Sequence, residues 1–478
     1  MKKNIFNSKD IDRREFLKRL GLGTAAVSAV SLSGCGTKNA TSSESGTELG
    51  EIPTDKMTYR TNPTTGDKVS ILGYGCMRWP TKENPDGSGK DIIDQETVND
   101  LVDFAIEHGV NYFDTAPVYC QGMSETSTGI ALKRHPRDSY FIATKMSNFG
   151  VAGKGLSPKE SFDTSVEMYK KSLANLQTDY IDYYLLHSVG GGKGIETLNE
   201  RFFDNGLLDF LLKEREAGRI RNLGFSYHGD IAVFDYLLSR HDEFKWDFVQ
   251  IQMNYLDWKH AKEINSSNTD AEYLYGELAK RNIPAVIMEP LLGGRLSNVP
   301  DHIVARLKEK EPERSVASWA FRFAGTYPDV LTVLSGMTYK EHLEDNLRSY
   351  CPLQPLNEEE LKYLHDTAGL IVQYPTIPCN DCKYCMPCPY GIDIPAILVH
   401  YNKCVNQGNV PENSQAENYR EARKAFLVGY DRSVPKLRQA NHCIGCGQCV
   451  PHCPQNIKIP RELHRIDNFV EELKQGKV

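Results

Sequence analysis

The stretch NYFDTAPVYCQGMSE, residues 111–125, decides the fold because it joins a short apolar strand to polar, reactive side chains. Asp114 directly follows the apolar residues Tyr112 and Phe113, and Tyr119 lies five positions after Asp114. The next two apolar runs also have a polar residue near their carboxyl end, Lys145 in FIATKM and His187 in YIDYYLLHS. Reactive side chains at the carboxyl ends of successive strands are typical of barrel enzymes, whose chemistry lies at that face. The sequence therefore predicts a barrel with its active site at these strand ends.

Apolar runs with strand character alternate with amphipathic stretches of helical period from residue 57 onward. The predicted strands are residues 69–75, 111–113, 140–143, 181–186, 220–224, 248–251, 285–288 and 330–334. The clearest helical patterns are residues 96–108, 161–176, 203–217, 271–281 and 357–372. This alternation predicts an α/β fold, a parallel (β/α)8 TIM barrel. No Gly-x-Gly-x-x-Gly turn follows the first strand, which disfavours a Rossmann domain.

The composition is that of a soluble globular protein with more than one domain. The chain has 478 residues, a formal net charge of −7 and 13 cysteines. That length predicts two or three domains, and the absence of a basic stripe argues against nucleic acid as a partner. Most of the cysteines fall in two tight groups near the C-terminus, which indicates metal ligands rather than disulfides.

The order of Asp114, Tyr119, Lys145 and His187 resembles the catalytic tetrad of the aldo-keto reductases. Each residue alone has an ordinary explanation, as a helix cap, a loop residue or a core histidine. Their joint order within residues 57–350, the predicted barrel, carries the resemblance. A tyrosine acts as a general acid near neutral pH only if its pKa falls from about 10, so we expect Lys145 to lower the pKa of Tyr119. His187 would hydrogen-bond the substrate oxygen.

The same resemblance implies positions for a nicotinamide cofactor, NADP or NAD. The positions that match the family's cofactor-binding residues are Ser226, Gln250, Met288, Gly336 and Asn346. Tyr227 stands where the family usually has asparagine, and Met288, followed by Glu289, stands where a tyrosine usually stacks on the ring. Gly336 and His342 replace basic groups that usually bind the 2′-phosphate, so the choice between NADH and NADPH stays open.

Two cysteine runs near the C-terminus share the triplet C-x2-C-x2-C followed by a Cys-Pro pair. The first cysteine run holds Cys379, Cys382, Cys385 and Cys388, and the second cysteine run holds Cys443, Cys446, Cys449 and Cys453. In two-cluster ferredoxins the fourth cysteine of each run binds the other cluster. We therefore predict one 4Fe-4S cluster on Cys379, Cys382, Cys385 and Cys453, and a second on Cys443, Cys446, Cys449 and Cys388.

The first cysteine run departs from the ferredoxin pattern, because two rather than three residues precede Cys388. Zinc also binds paired C-x2-C motifs, but it would not account for the proline after each fourth cysteine. The long separation of the runs resembles the α-helical ferredoxin modules of respiratory iron–sulfur subunits. We predict a small, mostly α-helical, ferredoxin-like iron–sulfur domain over residues 376–478, joined to the barrel by a helical connector over residues 351–375.

The first 35 residues resemble an export signal. Arg13 and Arg14 precede a weakly apolar run, residues 20–32, as in a twin-arginine signal, and LSGC, which ends at Cys35, resembles a lipobox. A basic amphipathic helix and a plain cleavage region are the alternatives. The expectation is export to the periplasm or cell envelope and a lipid anchor on Cys35, with residues 36–56 as a flexible linker.

These patterns predict an exported oxidoreductase that interconverts a carbonyl and an alcohol and exchanges electrons with a partner through two clusters. The predicted partners are a small carbonyl or alcohol substrate and a membrane electron carrier or other redox partner. Two alternatives stay open: the clusters are purely structural, or the barrel is an electron-relay or binding module without nicotinamide turnover. Arg78 and Trp79, just after the first strand, are candidates for lining the substrate mouth.

Overall fold

The computed structural model describes residues 51–86, 91–374 and 376–478. The predicted signal, with Cys35, lies outside the described residues, and so does the predicted linker up to residue 50. None of the helices in the described ranges is both long enough and apolar enough to cross a bilayer.

Eight of the described strands form a closed parallel barrel. The strands are β1 (Tyr59–Thr61), β2 (Lys68–Ser70), β3 (Leu72–Gly75), β4 (Thr81–Glu83), β5 (Asp91–Ile93), β6 (Tyr112–Asp114), β7 (Phe141–Met146), β8 (Ile181–Val189), β9 (Ile220–Tyr227), β10 (Phe248–Gln252), β11 (Ala285–Met288) and β12 (Val330–Ser335). Strands β3 and β6 to β12 follow one another around the barrel, and β12 pairs with β3. The pairs β1–β2 and β4–β5 are antiparallel ribbons outside it. The predicted (β/α)8 barrel is confirmed.

Helices connect the barrel strands and cover them. They are α1 (Gln95–Glu107), α2 (Ser124–Leu132), α3 (Pro158–Leu176), α4 (Ile195–Leu198), α5 (Leu207–Glu216), α6 (Ile231–Ser239), α7 (His241–Phe244), α8 (Asp257–Ile264), α9 (Ala271–Ala279), α10 (Asp301–Lys310), α11 (Val316–Thr326), α12 (Lys340–Tyr350) and α13 (Glu358–Ile371). The longest, α3, begins at a capping box in which Ser157 and Glu160 satisfy each other's backbone N–H groups. Leu364 of α13 belongs to the barrel core, so this helix packs against the barrel.

The barrel interior is packed with side chains and is not a channel. Along β8 every position except Ser188 is buried, as expected for parallel strands covered on both faces. Inside the barrel, the rings of Tyr112, Tyr183 and Phe248 meet edge to face at centroid distances of 5.0 and 5.2 Å. These rings form a floor, and the polar side chains above them lie at the carboxyl ends of the strands.

The described part of residues 376–478 contains three longer helices and no strand: α14 (Ile394–Asn406), α15 (Tyr419–Ser433) and α16 (Ile459–Gln475). They pack around an apolar core of their own, which includes Ile397, Phe426 and Ile466. The prediction of a mostly helical module is confirmed. Residues 52–478 form one compact unit, so the helical module lies against the barrel.

Candidate active site and cysteine cavities

The structure brings the four predicted catalytic residues together at the carboxyl ends of neighbouring strands. Asp114 ends β6, Lys145 lies in β7, and His187 lies in β8. Tyr119 lies in the helical turn that follows β6. Its ring centroid lies 5.0 Å from the Lys145 ammonium and 6.0 Å from the His187 ring. A substrate oxygen near Tyr119 would therefore also meet His187.

Lys145 and Asp114 form a buried ion pair below Tyr119. The Lys145 ammonium donates to Asp114 Oδ1 at 2.5 Å and to the Thr115 carbonyl at 2.8 Å. The two side chains are 1% and 3% exposed. Burial lowers the pKa of Lys145 and raises the pKa of Asp114, and their mutual attraction opposes both shifts. Charges this deeply buried persist only when they are paired and hydrogen-bonded, which this pair is.

His187 is a neutral imidazole with one ring nitrogen already engaged. Burial lowers its pKa well below the usual value, and the nearby cations of Lys145 and Arg201 lower it further. Its Nδ1 hydrogen-bonds Ser147 Oγ at 2.6 Å, which leaves Nε2 for a ligand. Arg201 donates to the backbone carbonyl of His187 at 2.7 Å and so fixes this part of β8.

The prediction that Lys145 lowers the pKa of Tyr119 is wrong. Burial raises the pKa of Tyr119 well above its usual value, and Tyr384 adds to the rise. The phenols of Tyr119 and Tyr384 lie close enough to each other that each affects the protonation of the other. The Lys145 ammonium lies against the ring of Tyr119 and donates to Asp114, so it does not offset the burial.

Two of the predicted nicotinamide residues are direct neighbours in the sheet. Ser226 in β9 and Gln250 in β10 are cross-strand partners, and both are buried. The Ser226 hydroxyl accepts from the backbone N–H of Ser188 at 2.7 Å. Gln250 Oε1 is buried, with no hydrogen-bond partner among the described residues. An unpaired buried amide oxygen needs a donor, and the amide N–H of a nicotinamide fits that need.

The other predicted cofactor positions differ in their burial and in the neighbours that they already contact. Asn346 donates to Ser335 Oγ at 2.7 Å and is buried. Met288 ends β11 and is half-buried. Gly336 is covered by Arg78, whose Cδ lies 3.2 Å from where a Cβ would be. Tyr227, in place of the usual asparagine, packs on Phe234 and donates to a backbone carbonyl.

Of the two candidates for the mouth, only Arg78 lies there. Trp79 is 3% exposed, packs on Tyr74 at a centroid distance of 4.8 Å and donates to Thr128 Oγ1, so it is a core residue. Arg78 reaches away from the barrel and donates to the backbone carbonyls of the first cysteine run, at Asn380 and Asp381. It also pairs with the Asp381 carboxylate at 3.3 Å.

The first cysteine run covers the mouth of the barrel, which the sequence analysis missed. Asn380 donates to the carboxyl of the half-buried Glu289, directly after β11, over 2.7 Å. A Cβ on Gly293 would lie 2.2 Å from Asn380 Cβ, so only glycine permits this approach. Together with the approach of Tyr384 to Tyr119, these contacts place the run directly over the candidate active site. The only signals in the sequence were an acid just after a predicted strand, Glu289, and a tyrosine inside a cysteine run, Tyr384.

The eight cysteines of the two runs line two neighbouring cavities. One cavity is lined by Cys379, Cys382, Cys385 and Cys453. The other, of about 220 Å³, is lined by Cys388, Cys443, Cys446 and Cys449, and Cys385 borders it as well. The grouping therefore follows the crossed pattern of the sequence analysis, with Cys388 beside the second run despite its shorter spacing. None of the eight is in a disulfide.

The larger cysteine cavity, beside the second run, has room for a multi-atom cluster. Its thiols surround about 220 Å³ of open space, whereas a zinc site needs four ligands about one point; the cavity beside the first run is about 20 Å³. Within the described residues, no three His, Cys, Asp or Glu side chains converge closely enough to hold one metal ion. The backbone of both runs turns through left-handed conformations, at Asp381 and Lys383 in the first run and at Gly445 and Gly447 in the second.

Comparison with known proteins agrees with this architecture. Residues 71–368 match the Aldo/keto reductase family, and residues 378–457 match the 4Fe-4S dicluster domain. The chain is 27% identical over 311 residues to the uncharacterized oxidoreductase YqkF of Bacillus subtilis, covering 62% of this chain and 92% of that protein. It is 25% identical over 326 residues to L-galactose dehydrogenase of Arabidopsis thaliana, covering 64% of this chain and 92% of that enzyme.

Among solved structures, the holo form of aldo-keto reductase AKR11C1 from Bacillus halodurans is similar to this chain. The two are 26% identical with a TM-score of 0.50, over 65% of this chain and 96% of that one. The family match spans more than half of the sequence and includes every barrel strand. The protein therefore belongs to the aldo/keto reductase family of oxidoreductases, and it carries a C-terminal 4Fe-4S dicluster domain.

Proposed function

We propose that the protein interconverts a small carbonyl compound and its alcohol at the mouth of the barrel, with Asp114, Tyr119, Lys145 and His187 as the catalytic residues. The observation that carries this proposal is the buried Lys145–Asp114 pair directly below Tyr119, with His187 beside it. The family implies small carbonyl or alcohol substrates. The similarity to an L-galactose dehydrogenase adds sugars to the compounds to be tested.

In the reduction direction, Tyr119 gives its proton to the carbonyl oxygen and Lys145 balances the negative charge that develops. The raised pKa of Tyr119 keeps its phenol protonated at neutral pH, which suits a proton donor. Nε2 of the neutral His187 hydrogen-bonds the same oxygen and orients it. A bound nicotinamide supplies or accepts the hydride.

Ser226 and Gln250 are the residues that would hold the carboxamide of the cofactor. Their cross-strand pairing and the unpaired Gln250 oxygen support this assignment. Met288, Gly336 and Asn346 complete the proposed contact set. NADH and NADPH are both candidates, because Arg78 is committed to the first cysteine run and does not offer its charge to a 2′-phosphate.

We also propose two 4Fe-4S clusters, one on Cys379, Cys382, Cys385 and Cys453 and one on Cys388, Cys443, Cys446 and Cys449. Clusters exchange single electrons. Oxidation of an alcohol to a carbonyl releases two electrons and two protons. A bound nicotinamide would take both electrons with one proton as hydride, whereas two clusters would take the electrons one at a time and leave both protons to solvent. Because Cys385 borders both cavities, electrons could pass between the clusters and on to a redox partner.

The second cysteine run is the proposed contact point for a redox partner, such as a membrane electron carrier. Cys446 is exposed. Ile444 and Leu437 nearby are 63% and 82% exposed, and Tyr390 is 47% exposed. Exposed apolar side chains around a cluster can seat a partner close enough for electron transfer.

For localisation, we propose export by the twin-arginine route and a lipid anchor on Cys35, on the sequence features of residues 1–35 alone. A folded, cofactor-loaded protein is the cargo that this route carries. Cell fractionation of the wild type should place the protein in the envelope, and Arg13→Lys with Arg14→Lys should retain it inside the cell. Cys35→Ala should release the exported protein from the membrane; an unchanged membrane fraction would count against the lipid anchor.

Turnover by a Tyr119→Phe variant tests the catalytic proposal. We expect the rate of carbonyl reduction to fall by about 100-fold or more, because the variant lacks the proton donor. Tyr339→Phe, at a tyrosine that is 61% exposed, is the control and should behave as wild type. Wild-type turnover by Tyr119→Phe would refute the assignment.

Anaerobic purification of residues 36–478, with iron and sulfide counts and an assay for released nicotinamide, tests the cofactors. Two clusters predict about eight irons per chain. Iron without any binding of NADH or NADPH would favour the alternative, an electron-relay or binding module. Clusters that cannot be reduced reversibly would instead favour a purely structural role.

A further inference from the structure

A buried glutamine lines the cavity beside the first cysteine run. Gln455 is 2% exposed and borders the first cysteine cavity, which is the one lined by Cys379, Cys382, Cys385 and Cys453. Its amide nitrogen Nε2 is buried and has no hydrogen-bond partner among the described residues. A buried donor without an acceptor costs stability, so this N–H needs a partner that the described protein groups do not supply.

The barrel fixes which way this amide points. Asn265, after α8, uses its Oδ1 to accept from the backbone N–H of Ser267 at 3.1 Å, which leaves its Nδ2 as a donor. This Nδ2 donates to Gln455 Oε1 at 3.2 Å. An amide group has its oxygen on one side and its nitrogen on the other. Since Oε1 faces the barrel, Nε2 is the polar atom that Gln455 offers to the cavity.

The rest of the cavity wall gives this N–H no protein partner. Apart from the cysteines the wall is mostly apolar, and its apolar residues are Pro395, Leu398, Ile457 and Ile459. Its other polar side chains are Asn380, which donates to Glu289 at 2.7 Å, and Lys383, which is exposed. Neither is a partner of Gln455 Nε2. The sulfur atoms held by the four cysteines are therefore the acceptors that fit this donor.

From this geometry we propose that Gln455 donates an N–H···S hydrogen bond to the 4Fe-4S cluster of the first cysteine cavity and so raises its reduction potential. Reduction adds an electron, and a hydrogen-bond donor stabilises the more negative, reduced form more than the oxidised form. Asn265 is then a positioning residue, through which the barrel sets the direction of the bond. The inference rests on the proposed function, because it requires the cluster that we assign to this cavity and that the match to the 4Fe-4S dicluster domain supports.

The test is an anaerobic redox titration of the holoprotein and its Gln455→Met variant, followed by electron paramagnetic resonance. Methionine has the length of glutamine but no N–H. The equilibrium constant for reduction of the first cluster, identified as the one that Cys382→Ser loses, should therefore fall about tenfold, a downward shift of about 60 mV.

Gln439→Met is the matched control. Gln439 is buried in the same helical module, but it lines neither cysteine cavity and gives its amide N–H groups to Asp431 and the Val434 carbonyl. Its substitution should leave the potentials of both clusters unchanged.

Electron nuclear double resonance provides a readout that does not depend on the potential. The reduced first cluster of the wild type should show a proton coupling that is lost in D2O and is absent in Gln455→Met. Asn265→Asp repeats the test from the barrel with every cysteine and Gln455 in place, so it serves if Gln455→Met loses iron. Its carboxylate would accept from Gln455 Nε2 and turn the amide, which should remove the coupling and lower the potential.

The outcomes separate the inference from the proposed function. A wild-type potential and proton coupling in an iron-loaded Gln455→Met or Asn265→Asp variant would overturn the inference, because Nε2 would then donate to something other than the cluster. A wild type that assembles a cluster on the second cysteine run alone would instead overturn the proposed function.

Discussion

The two cysteine runs have the same spacing in their triplets but opposite surroundings. The first run lies against the barrel, where Arg78 and Glu289 hold it and Tyr384 lies close to Tyr119. The second run lies at the surface, with Cys446 exposed. The residue before the third cysteine of each triplet shows the difference most directly, because it is Tyr384 in the first run and Gln448 in the second.

This difference teaches that the iron–sulfur module is not an independent electron carrier attached to a complete enzyme. The first run supplies side chains to the mouth of the barrel, where other segments of a barrel usually form the substrate site. The second run approaches the barrel only at its end, where Gln455, just after Cys453, accepts a hydrogen bond from Asn265. Substitutions in the first run should therefore lower the turnover of the barrel active site. Substitutions in the second run should affect only the exchange of electrons with a partner.

The largest expected effect on turnover comes from substituting one cysteine, compared between a variant in the first run and a variant in the second. Cys382→Ser should lower nicotinamide-dependent benzaldehyde reduction by about 100-fold, because a misplaced loop displaces Tyr384 and the wall of the site. Cys446→Ser should keep this reduction close to wild type but lose electron transfer to an external dye. Turnover rates, iron counts and dye reduction, all measured anaerobically, check the prediction.

Iron counts provide the control for this pair of variants. Each variant should lose about half of the iron if the substituted cluster is not assembled. Equal losses of benzaldehyde reduction in the two variants would contradict the comparison, since both runs would then support the barrel equally. A variant that keeps all of its iron is replaced by the corresponding alanine variant, Cys382→Ala or Cys446→Ala.

A smaller effect is expected from the arginines that tie each run to its surroundings. Arg78→Gln removes donors to Asn380 and Asp381 and should cost about 1–2 kcal/mol in the free energy of unfolding. Among the described residues, the Arg438 side chain makes a 3.4 Å bond to Gly391 and a distant pair with Asp393, and it is 49% exposed. Arg438→Gln should therefore cost less than about 0.5 kcal/mol.

Anaerobic urea unfolding of both arginine variants measures these costs. Arg78→Gln should also lower benzaldehyde turnover, because it loosens the loop that carries Tyr384. Arg438→Gln is the matched control, with the same substitution in the module but away from the mouth. A larger loss of stability in Arg438→Gln than in Arg78→Gln would show that the first run does not depend on the barrel.

The barrel could be predicted from the sequence because its signal is local. Each strand is a short apolar run. Asp114, Lys145 and His187 can be identified because they lie at or near the ends of these runs. The cover over the barrel could not be predicted in this way. Arg78 and Asp381 are 303 positions apart, and no pattern within a sequence window connects them. Their contact depends on how the helical module packs on the finished barrel.

The protonation of Tyr119 also could not be predicted, for a different reason. The sequence places a cation near the tyrosine, which favours a lower pKa. The folded structure removes water from the same phenol and adds Tyr384, and burial outweighs the charge of Lys145. The sequence does not report burial at a single position, so the sign of the shift came out wrong although Lys145 was correctly identified as a neighbour.

The smallest expected effect concerns the left-handed turns of the two runs. Lys383 has φ of 63° and Gly447, its counterpart in the second run, has φ of 74°. A side chain in this region costs about 1 kcal/mol, so Gly447→Ala should destabilise the fold by that amount. No atom lies within 4 Å of the added Cβ, so the cost is that of the backbone alone.

Lys383→Gly should relieve the same strain. Glycine loses more backbone entropy on folding, so the net gain in the free energy of unfolding should be only about 0.5 kcal/mol. Urea unfolding of the iron-loaded variants measures both changes; a loss of stability in Lys383→Gly would mean that the lysine side chain holds the first run in place.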